Sequence, residues 1–543
     1  MIICSSVFAL IFSRSQPTGM GTDSWDHPKA LIMGLRFPDQ WQGLVAKITA
    51  MDIAKVLILA LLFTMGGSSA QANVLRCEET LPDRLQTWLQ TSALQGATVG
   101  IALETLDGRE VYHHQADRRL LPASNQKLLT TAAALEQWGE RRTWATTVHL
   151  RRDPNSTELW LVGQGDPTLT EASLQELSQE VGHQLRQRQV TYLDRLVGDD
   201  RFLGEKGTPP TWELADIQTG YGAPVNALVL TENAIPLTLW PQAIGEPLRI
   251  EWETPQDALD WKVENFSVSG QADDPEFVVV RNVGEQGTRS VLRVEGVLRS
   301  GAAPEPVSVA VSQPGERFLR RLQTALEGEG ITIAASELVT FPDSQPLPEA
   351  ETIATLSSPP LATLVTIANQ QSQNLYAEIL LRWLGQAQTH PPALGVAPSL
   401  QERGSQQIST MLLRWGLSTH EFTIADGSGL SRHNWITPAV LVKVLQYSAQ
   451  APWGETYRAS LSEAGVSGTL ARRFADSPLA GKLWGKTGSM EGTMALSGYL
   501  NPDHYAPLAF SILINNSAAS YGQLATAIDF LLEDWANLAI CQR

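Results

Sequence analysis

The feature that most constrains the fold is the long interval between two short motifs, Ser124-x-x-Lys127 and Ser372-x-Asn374. The first motif begins a helix-forming stretch, because Pro122 precedes it and apolar residues follow at helical spacing. Residues three apart share a helix face, so the Lys127 amine can reach the Ser124 hydroxyl. A partly desolvated amine becomes neutral more readily and can take the hydroxyl proton. The alternative is that Ser124 only caps the helix and Lys127 is a solvated charge.

A third motif favours the catalytic interpretation. Ser372-Gln373-Asn374 interrupts a helical region, and Lys486-Thr487-Gly488 ends a strand-like run. In this order the three motifs form the S-x-x-K, S-x-N, K-T-G set of active-site-serine enzymes that react with penicillin. The chain has only nine lysines, so two of them falling in these motifs by accident is improbable.

The interval between the first two motifs is far longer than one domain needs between its nucleophile and its second motif. Its strand-like runs predict one or two β-rich domains inserted into the first domain, with a proline-rich, acidic return linker, Pro342 to Glu351. The chain then resumes the first domain with helices around Ser372, two strands after Lys486 and a closing apolar helix. The predicted fold class is therefore α/β, an antiparallel sheet flanked by helices and carrying β-rich insertions.

Composition excludes several kinds of partner and cofactor. The formal net charge of −17 argues against nucleic acid and against anionic membrane surfaces. No Cys/His spacing indicates a metal site, and Gly163-x-Gly165 lacks the rest of a nucleotide fingerprint, so we expect neither metal nor other cofactor.

The N-terminal region predicts export. A short polar start at Met51, an apolar run and the cleavage-site pattern Ala70-Gln71-Ala72 together indicate a signal peptide over residues 51–72. We favour a start codon assigned too early as the explanation of residues 1–50, the alternative being a real leader that uses residues 2–12. The mature protein would start near Asn73 and lie in the periplasm or cell envelope.

Export leaves two of the three cysteines, one near each end of the mature chain. Cys77 and Cys541 could pair in an oxidising compartment and tie the chain ends together, the alternative being two free thiols.

With the three motifs and the insertion in view, the sequence resembles the class C low-molecular-mass penicillin-binding proteins, the D-alanyl-D-alanine carboxypeptidase/endopeptidase family. Fragments such as Tyr221-Gly222-Ala223-Pro224 and the loop Asp426 to Ser431 also resemble that family. The resemblance implies a penicillin-binding transpeptidase or serine β-lactamase-like catalytic domain and two nested insertions. The expected bounds are 73–152 and 353–543 for the catalytic domain, 153–168 and 246–352 for domain II, and 169–245 for domain III.

The resemblance also implies a role for each motif residue. Ser124 would be the acylated nucleophile, Lys127 its general base, and Ser372 a proton relay toward the leaving D-alanine. Asn374 would hold the substrate amide, and Thr487 would bind the terminal carboxylate. Lys486 would supply positive charge for that carboxylate and help to keep Lys127 neutral. The backbone N–H groups of Ser124 and Ser489 would form the oxyanion hole; Ser489 stands where threonine is common.

We therefore expect hydrolysis of D-Ala-D-Ala or of cross-linked peptidoglycan stem peptides, and acylation by β-lactams as covalent inhibitors. Two alternatives stay open. One is a β-lactamase or esterase on the same core, although no Glu-x-x-x-Asn element for deacylation is recognisable. The other is a non-catalytic wall-binding or β-lactam-sensing protein.

Overall fold

A computed structural model describes residues 75–205, 207–286, 289–343, 347–387 and 398–541. The predicted signal peptide and the preceding extension lie outside these residues. Within the described part of the chain, no helix combines the length and the apolar character needed to cross a membrane.

Ten helices are found in the described residues. They are α1 (Leu81–Leu89), α2 (Gln126–Trp138), α3 (Glu171–Gln187), α4 (Pro314–Gly328), α5 (Leu361–Gln370), α6 (Asn374–Gln386), α7 (Leu400–Arg414), α8 (Pro438–Gln450), α9 (Gly454–Ala459) and α10 (Tyr521–Ala536).

The strands form one large antiparallel sheet and several smaller sheets. They are β1 (Arg76–Cys77), β2 (Thr98–Thr105), β3 (Glu110–His114), β4 (Ala145–Asp153), β5 (Ser156–Val162), β6 (Tyr192–Leu193), β7 (Arg195–Asp199), β8 (Ala234–Trp240), β9 (Arg249–Trp252), β10 (Trp261–Gly270), β11 (Phe277–Gln286), β12 (Arg289–Arg299), β13 (Glu305–Ala310), β14 (Thr332–Ile333), β15 (Ser336–Val339), β16 (Glu351–Ser357), β17 (Phe422–Thr423), β18 (Trp435–Ile436), β19 (Ser462–Glu463), β20 (Leu483–Met490), β21 (Thr493–Leu500), β22 (Leu508–Asn515) and β23 (Leu538–Ala539).

The large sheet has the order β19-β20-β21-β22-β2-β3, and every neighbouring pair is antiparallel. Because successive strand residues point to opposite faces, its strands contribute to two separate cores. On one face the sheet packs against α2, α5, α6 and α8, and on the other against α1 and α10. This arrangement agrees with the predicted antiparallel sheet between helices.

The two ends of the described chain meet beside this sheet. β1 pairs in parallel with β23, and a disulfide joins Cys77 to Cys541. The pairing that the sequence left open against two free thiols is therefore present in the structure.

The interval between the first two motifs forms its own sheets and cores. A five-stranded sheet of order β15-β7-β5-β4-β16 packs against α3 and α4. Two three-stranded sheets, β13-β8-β9 and β10-β12-β11, share another core. The residue bounds given above for the inserted domains stay a prediction.

Candidate active site

Ser124 lies in a tight turn just before α2. Residues Ala123–Asn125 form a 3₁₀ turn, and Ala123 has a φ of 46°. Gly429, with a φ of 85°, packs against the Ala123 carbonyl and leaves no room there for a side chain. The turn is followed at once by α2, so Lys127 stands one turn after the serine, as its spacing predicts. The distance from Lys127 Nζ to Ser124 Oγ is 2.9 Å.

The Lys127 amine is fully buried and faces three oxygen atoms. Besides Ser124 Oγ, Nζ donates to Asn374 Oδ1 at 2.6 Å and to the Ser428 carbonyl at 2.8 Å. Burial lowers the pKa of Lys127 to about 7, while the carboxylates of Asp426 and Glu378 oppose this shift. A lysine in this state can be neutral near neutral pH, as a general base must be.

Ser372 lies across the site from Lys127, in the turn between α5 and α6, with a φ of 58°. Its hydroxyl accepts a 2.9 Å hydrogen bond from Lys486 Nζ, which also donates to the Thr487 carbonyl at 2.9 Å. Lys486 is fully buried, and burial, followed by the charge of Lys127, lowers its pKa well below the usual value.

The influence that was expected of Lys486 on Lys127 stays a prediction. The resemblance implied that Lys486 helps to keep Lys127 neutral. Burial is the main cause of the low pKa of both amines, and the charge of Lys127 lowers the pKa of Lys486 further.

Strand β20 brings the third motif directly against the serine turn. Asn125 Nδ2 donates to the Lys486 carbonyl at 3.0 Å. A Cβ on Gly488 would lie 2.9 Å from the Ser124 backbone nitrogen, so glycine permits this close approach. Thr487 Oγ1 donates to Thr469 Oγ1 at 2.8 Å. The side chain of Ser489, two residues after Thr487 on the same strand, is exposed, and the oxyanion role of its N–H stays a prediction.

Both polar atoms of the Asn374 side-chain amide form hydrogen bonds. Its oxygen accepts from Lys127, and its Nδ2 donates to the Tyr221 carbonyl at 2.9 Å. The neighbouring Gln373 side chain donates to Glu232. Tyr221 and Glu232 come from the interval between the first two motifs, so this interval helps to orient the second motif.

Two buried carboxylates near the site were not among the predicted site residues. Glu378 Oε1 accepts the N–H groups of Gly427 and Ser428 at 2.9 and 2.8 Å. Asp426 accepts from the N–H groups of Gly429 and Ser431 at 2.8 and 2.7 Å. Together they fix the loop whose Ser428 carbonyl faces Lys127.

Each carboxylate had a signal in the sequence. Glu378 follows Asn374 by four residues, which puts both on one helix face. Asp426 opens a glycine-punctuated loop in which loop N–H groups need an acceptor. The sequence did not show that the two elements pack together.

The predicted site residues Ser124, Lys127, Ser372, Asn374, Lys486 and Thr487 thus surround one cleft, with Ser489 on the same strand. In the part of the chain that the structure describes, no group of three or more His, Cys, Asp or Glu residues could hold a metal ion. The arrangement joins a hydroxyl nucleophile to an amine base, with a second amine nearby. Such a set suits acyl transfer from a substrate that ends in a carboxylate.

Comparison with known proteins gives consistent matches over most of the chain. The model of the D-Ala-D-Ala carboxypeptidase 3 (S13) family matches residues 81–534. A D-alanyl-D-alanine carboxypeptidase of Actinomadura sp. (strain R39) is 31% identical over 508 residues, covering 89% of this chain and 90% of that protein. The penicillin-sensitive carboxypeptidase A of Dictyostelium discoideum is 26% identical, covering 75% and 80%.

Solved structures support the fold. Penicillin-binding protein 4 (dacB) from Haemophilus influenzae has a TM-score of 0.69 and 21% identity, covering 83% of this chain and 99% of that one. The same protein complexed with a β-lactam has a TM-score of 0.66 and 22% identity, covering 84% and 99%. The predicted fold class is thereby confirmed.

Proposed function

The chain belongs to the D-Ala-D-Ala carboxypeptidase 3 (S13) family and is a serine-type carboxypeptidase, and we propose that Ser124 is its nucleophile. The observation that carries this assignment is the 2.9 Å distance between Ser124 Oγ and the fully buried amine of Lys127. The low pKa of Lys127 leaves part of the amine neutral near pH 7, ready to accept the hydroxyl proton.

Acylation then follows from the arrangement of the groups. Neutral Lys127 takes the proton of Ser124 as Oγ attacks the carbonyl of the penultimate D-alanine. The N–H groups of Ser124 and Ser489 receive the developing oxyanion. The proton taken by Lys127 then passes through the hydroxyl of Ser372, which is hydrogen-bonded to Lys486, to the departing amine of the terminal D-alanine, so that Lys127 is neutral again. Water afterwards hydrolyses the ester and regenerates Ser124.

Substrate binding uses the strand side of the cleft. Lys486 and the Thr487 hydroxyl hold the terminal carboxylate, and Asn374 holds the amide of the peptide. Gly488 lets β20 lie close to the serine turn, so that an extended peptide laid along this strand would reach Ser124. We propose peptidoglycan stem peptides that end in D-Ala-D-Ala as substrates. Cross-linked stem peptides, cut by endopeptidase action, are included.

β-Lactams are proposed as covalent inhibitors that acylate Ser124. Support comes from two relatives, one named penicillin-sensitive and one solved in complex with a β-lactam. We also propose export through the signal peptide at 51–72 to the periplasm or cell envelope. A disulfide between Cys77 and Cys541 is consistent with an oxidising compartment. N-terminal sequencing of the exported protein checks this, with Asn73 as the expected first residue.

The decisive experiment combines labelling with product analysis. Wild type and Ser124→Ala are incubated with a fluorescent penicillin and, separately, with a peptide ending in D-Ala-D-Ala. A stable adduct and release of D-alanine, both absent in Ser124→Ala, are expected. Rapid turnover of the penicillin would instead indicate a β-lactamase or esterase, and no adduct at all would indicate a binding or sensing protein. Cross-linked wall fragments test the endopeptidase action in the same way.

A further inference from the structure

A threonine outside the predicted site residues lies beside the Thr487 hydroxyl on the strand side of the cleft. Thr469 belongs to the 3₁₀ turn Gly468–Leu470, between β19 and β20. Its side chain is exposed, and its Oγ1 lies 2.8 Å from Thr487 Oγ1. The proposed function places the terminal carboxylate of the substrate on Lys486 and Thr487, so Thr469 borders the position of that carboxylate.

The turn that carries Thr469 is fixed against β19 and against the end of α5. The Thr469 N–H donates to Ser462 Oγ at 3.0 Å. Gly468 has a φ of 59°, and a Cβ there would lie 2.9 Å from the Gln370 carbonyl oxygen, just before the Ser372 turn. Another residue at position 468 would be strained and crowded. These contacts involve the backbone of the turn, so they remain when the Thr469 side chain is replaced.

The hydroxyl of Thr469 accepts two hydrogen bonds. Thr487 Oγ1 donates to it at 2.8 Å, and Ser462 Oγ lies 3.1 Å away. Ser462 is fully buried, and among the described residues Thr469 Oγ1 is the acceptor within reach of its hydroxyl proton. A buried hydroxyl needs an acceptor, so Ser462 donates to Thr469. Both acceptor positions of Thr469 Oγ1 are then occupied.

The hydroxyl proton of Thr469 is therefore left for solvent or for a ligand. With both acceptor positions in use, this exposed hydroxyl can form a further hydrogen bond only by donating. Two hydroxyls that donate to the same oxygen polarise its O–H group and strengthen the hydrogen bond that it gives. A carboxylate is the acceptor that gains most from such a donor, because hydrogen bonds to a charged oxygen are the stronger ones.

We propose that Thr469 is a further substrate-binding residue, whose hydroxyl donates to the C-terminal carboxylate beside Lys486 and Thr487. The assignment rests on the proposed function, since that function puts a carboxylate at this end of the cleft. The two carboxylate oxygens accept enough hydrogen bonds for all three groups. Thr469 acts on the carboxylate and moves no proton in the reaction, so it determines specificity for peptides with a free C-terminus.

The test compares a peptide that ends in free D-Ala-D-Ala with the same peptide carrying a C-terminal amide. Thr469→Val keeps the shape of the side chain and lacks the hydroxyl. It is expected to lower kcat/KM for the free peptide about tenfold, mainly through KM, and to leave the amide unchanged. Thr469→Ser should restore the wild-type values. Thr526→Val on α10, at an exposed threonine whose hydroxyl donates to the Gly522 carbonyl, is the matched control.

A loss of specificity distinguishes substrate binding from a structural role. Equal loss of kcat/KM for both peptides in Thr469→Val would mean that the threonine only supports the turn, and it contradicts the proposal. Wild-type kinetics with both peptides contradict it as well. If Thr469→Val is unstable because the Ser462 hydroxyl loses its acceptor, Thr469→Ala gives the same comparison, since the smaller side chain admits water to Ser462.

A binding experiment separates this proposal from the proposed function. Both peptides are titrated calorimetrically into Ser124→Ala and into the double variant Ser124→Ala/Thr469→Val. The free peptide should bind more tightly than the amide to Ser124→Ala, and this preference should shrink about tenfold in the double variant. If wild type releases no D-alanine, the proposed function fails, and the titration still tests Thr469. Absence of the preference in Ser124→Ala, or an unchanged preference in the double variant, overturns the assignment.

The Thr487→Val background shows whether Thr469 contacts the carboxylate itself. A direct contact predicts that Thr469→Val still lowers kcat/KM for the free peptide when the Thr487 hydroxyl is absent. No further loss in this background would mean that Thr469 only orients Thr487, and it overturns the direct contact.

Discussion

The two sides of the cleft each hold a fully buried lysine, but they surround it differently. On the helix side, formed by α2, α6 and the loop 426–431, Lys127 faces three oxygen atoms and feels the carboxylates of Asp426 and Glu378. On the strand side, formed by β20 and the Ser372 turn, Lys486 contacts two oxygens and feels the charge of Lys127. Burial lowers both pKa values, and only the helix side has carboxylates that oppose it.

This difference suits the two amines to different tasks, Lys127 to general-base catalysis and Lys486 to binding of the substrate carboxylate. The helix side holds the pKa of Lys127 at about 7, where a base is most effective near neutral pH. Among the described residues, burial and the charge of Lys127 lower the pKa of Lys486, and no carboxylate is among the causes. A substrate carboxylate would supply a negative charge beside Lys486 and raise the pKa of its amine.

The largest expected effect is that of removing the base. Lys127→Met keeps the length of the side chain but cannot accept a proton. We expect the rate of acylation by penicillin to fall about 10²–10⁴-fold, measured by stopped-flow or gel-based labelling. Lys482→Met, at a partly exposed lysine that pairs with Asp503, is the matched control and should label at the wild-type rate. Wild-type labelling by Lys127→Met would remove the base role from Lys127.

The contact between Ser124 and Lys127 on the helix side could be predicted from the sequence alone. Serine and lysine one helical turn apart predict their contact, because that spacing fixes their separation once the helix forms. The antiparallel sheet between helices also followed from the strand-like and helical runs. These features depend on short-range spacing and hydrophobic pattern, which a single sequence contains.

The electrostatic difference between the two sides could not be predicted. It depends on Glu378 and Asp426, which come from separate elements and are buried together only in the folded chain. The contact of Asn374 with the Tyr221 carbonyl also joins residues that are far apart in the sequence and meet only in the folded chain. Such long-range packing leaves no periodic signal in the sequence, so a resemblance could suggest the motif roles but not these supports.

The second expected effect concerns the strand side. Lys486→Met should lower kcat/KM for a peptide ending in a free carboxylate by roughly 10–100-fold, through the loss of a charge-assisted hydrogen bond. The same peptide with an amidated C-terminus should react slowly with both proteins and show little further loss. If Lys486→Met lowers kcat/KM equally for the amidated and the free peptide, the Lys486 amine acts in the catalytic step and does not bind the substrate carboxylate.

Uptake of a proton by the enzyme on substrate binding is an independent measurement of the proposed role of Lys486. Calorimetric titration of Ser124→Ala with the free-carboxylate peptide, in buffers of different ionisation enthalpy and at several pH values, should show proton uptake, because the substrate carboxylate raises the pKa of Lys486. Lys486→Met should abolish that uptake, because it removes the group whose pKa the carboxylate raises. Equal uptake in both proteins would assign the proton to another group.

The third effect is a shift in pH dependence. Because Lys127 must be neutral to act as base, kcat/KM should rise with pH through a limb near pH 7. Glu378→Gln keeps an oxygen for the N–H groups of Gly427 and Ser428 but removes a charge that favours protonated Lys127. The limb should therefore move to lower pH, on the order of one pH unit or less. Glu421→Gln, at a half-buried carboxylate that accepts from the Ser418 N–H, is the control. An unmoved limb in Glu378→Gln would exclude this electrostatic coupling.

The smallest expected effect is on the free energy of unfolding. The buried amine of Lys127 and the buried carboxyl of Glu378 should change its pH dependence in opposite directions. The pKa of Lys127 is lower in the folded than in the unfolded state, so between about pH 7 and 10.5 the unfolded chain binds more protons and stability rises with pH. Burial raises the pKa of Glu378 to about 7, so between pH 4.5 and 7 the folded chain binds more protons and stability falls as pH rises. Measured by thermal unfolding, any gain in Tm of Lys127→Met over wild type should shrink from pH 7 to pH 10. Any gain in Tm of Glu378→Gln over wild type should grow from pH 5 to pH 7. If both variants show the same dependence of Tm on pH as wild type, Lys127 and Glu378 titrate alike in the folded and unfolded chain, and the electrostatic account of the helix side fails.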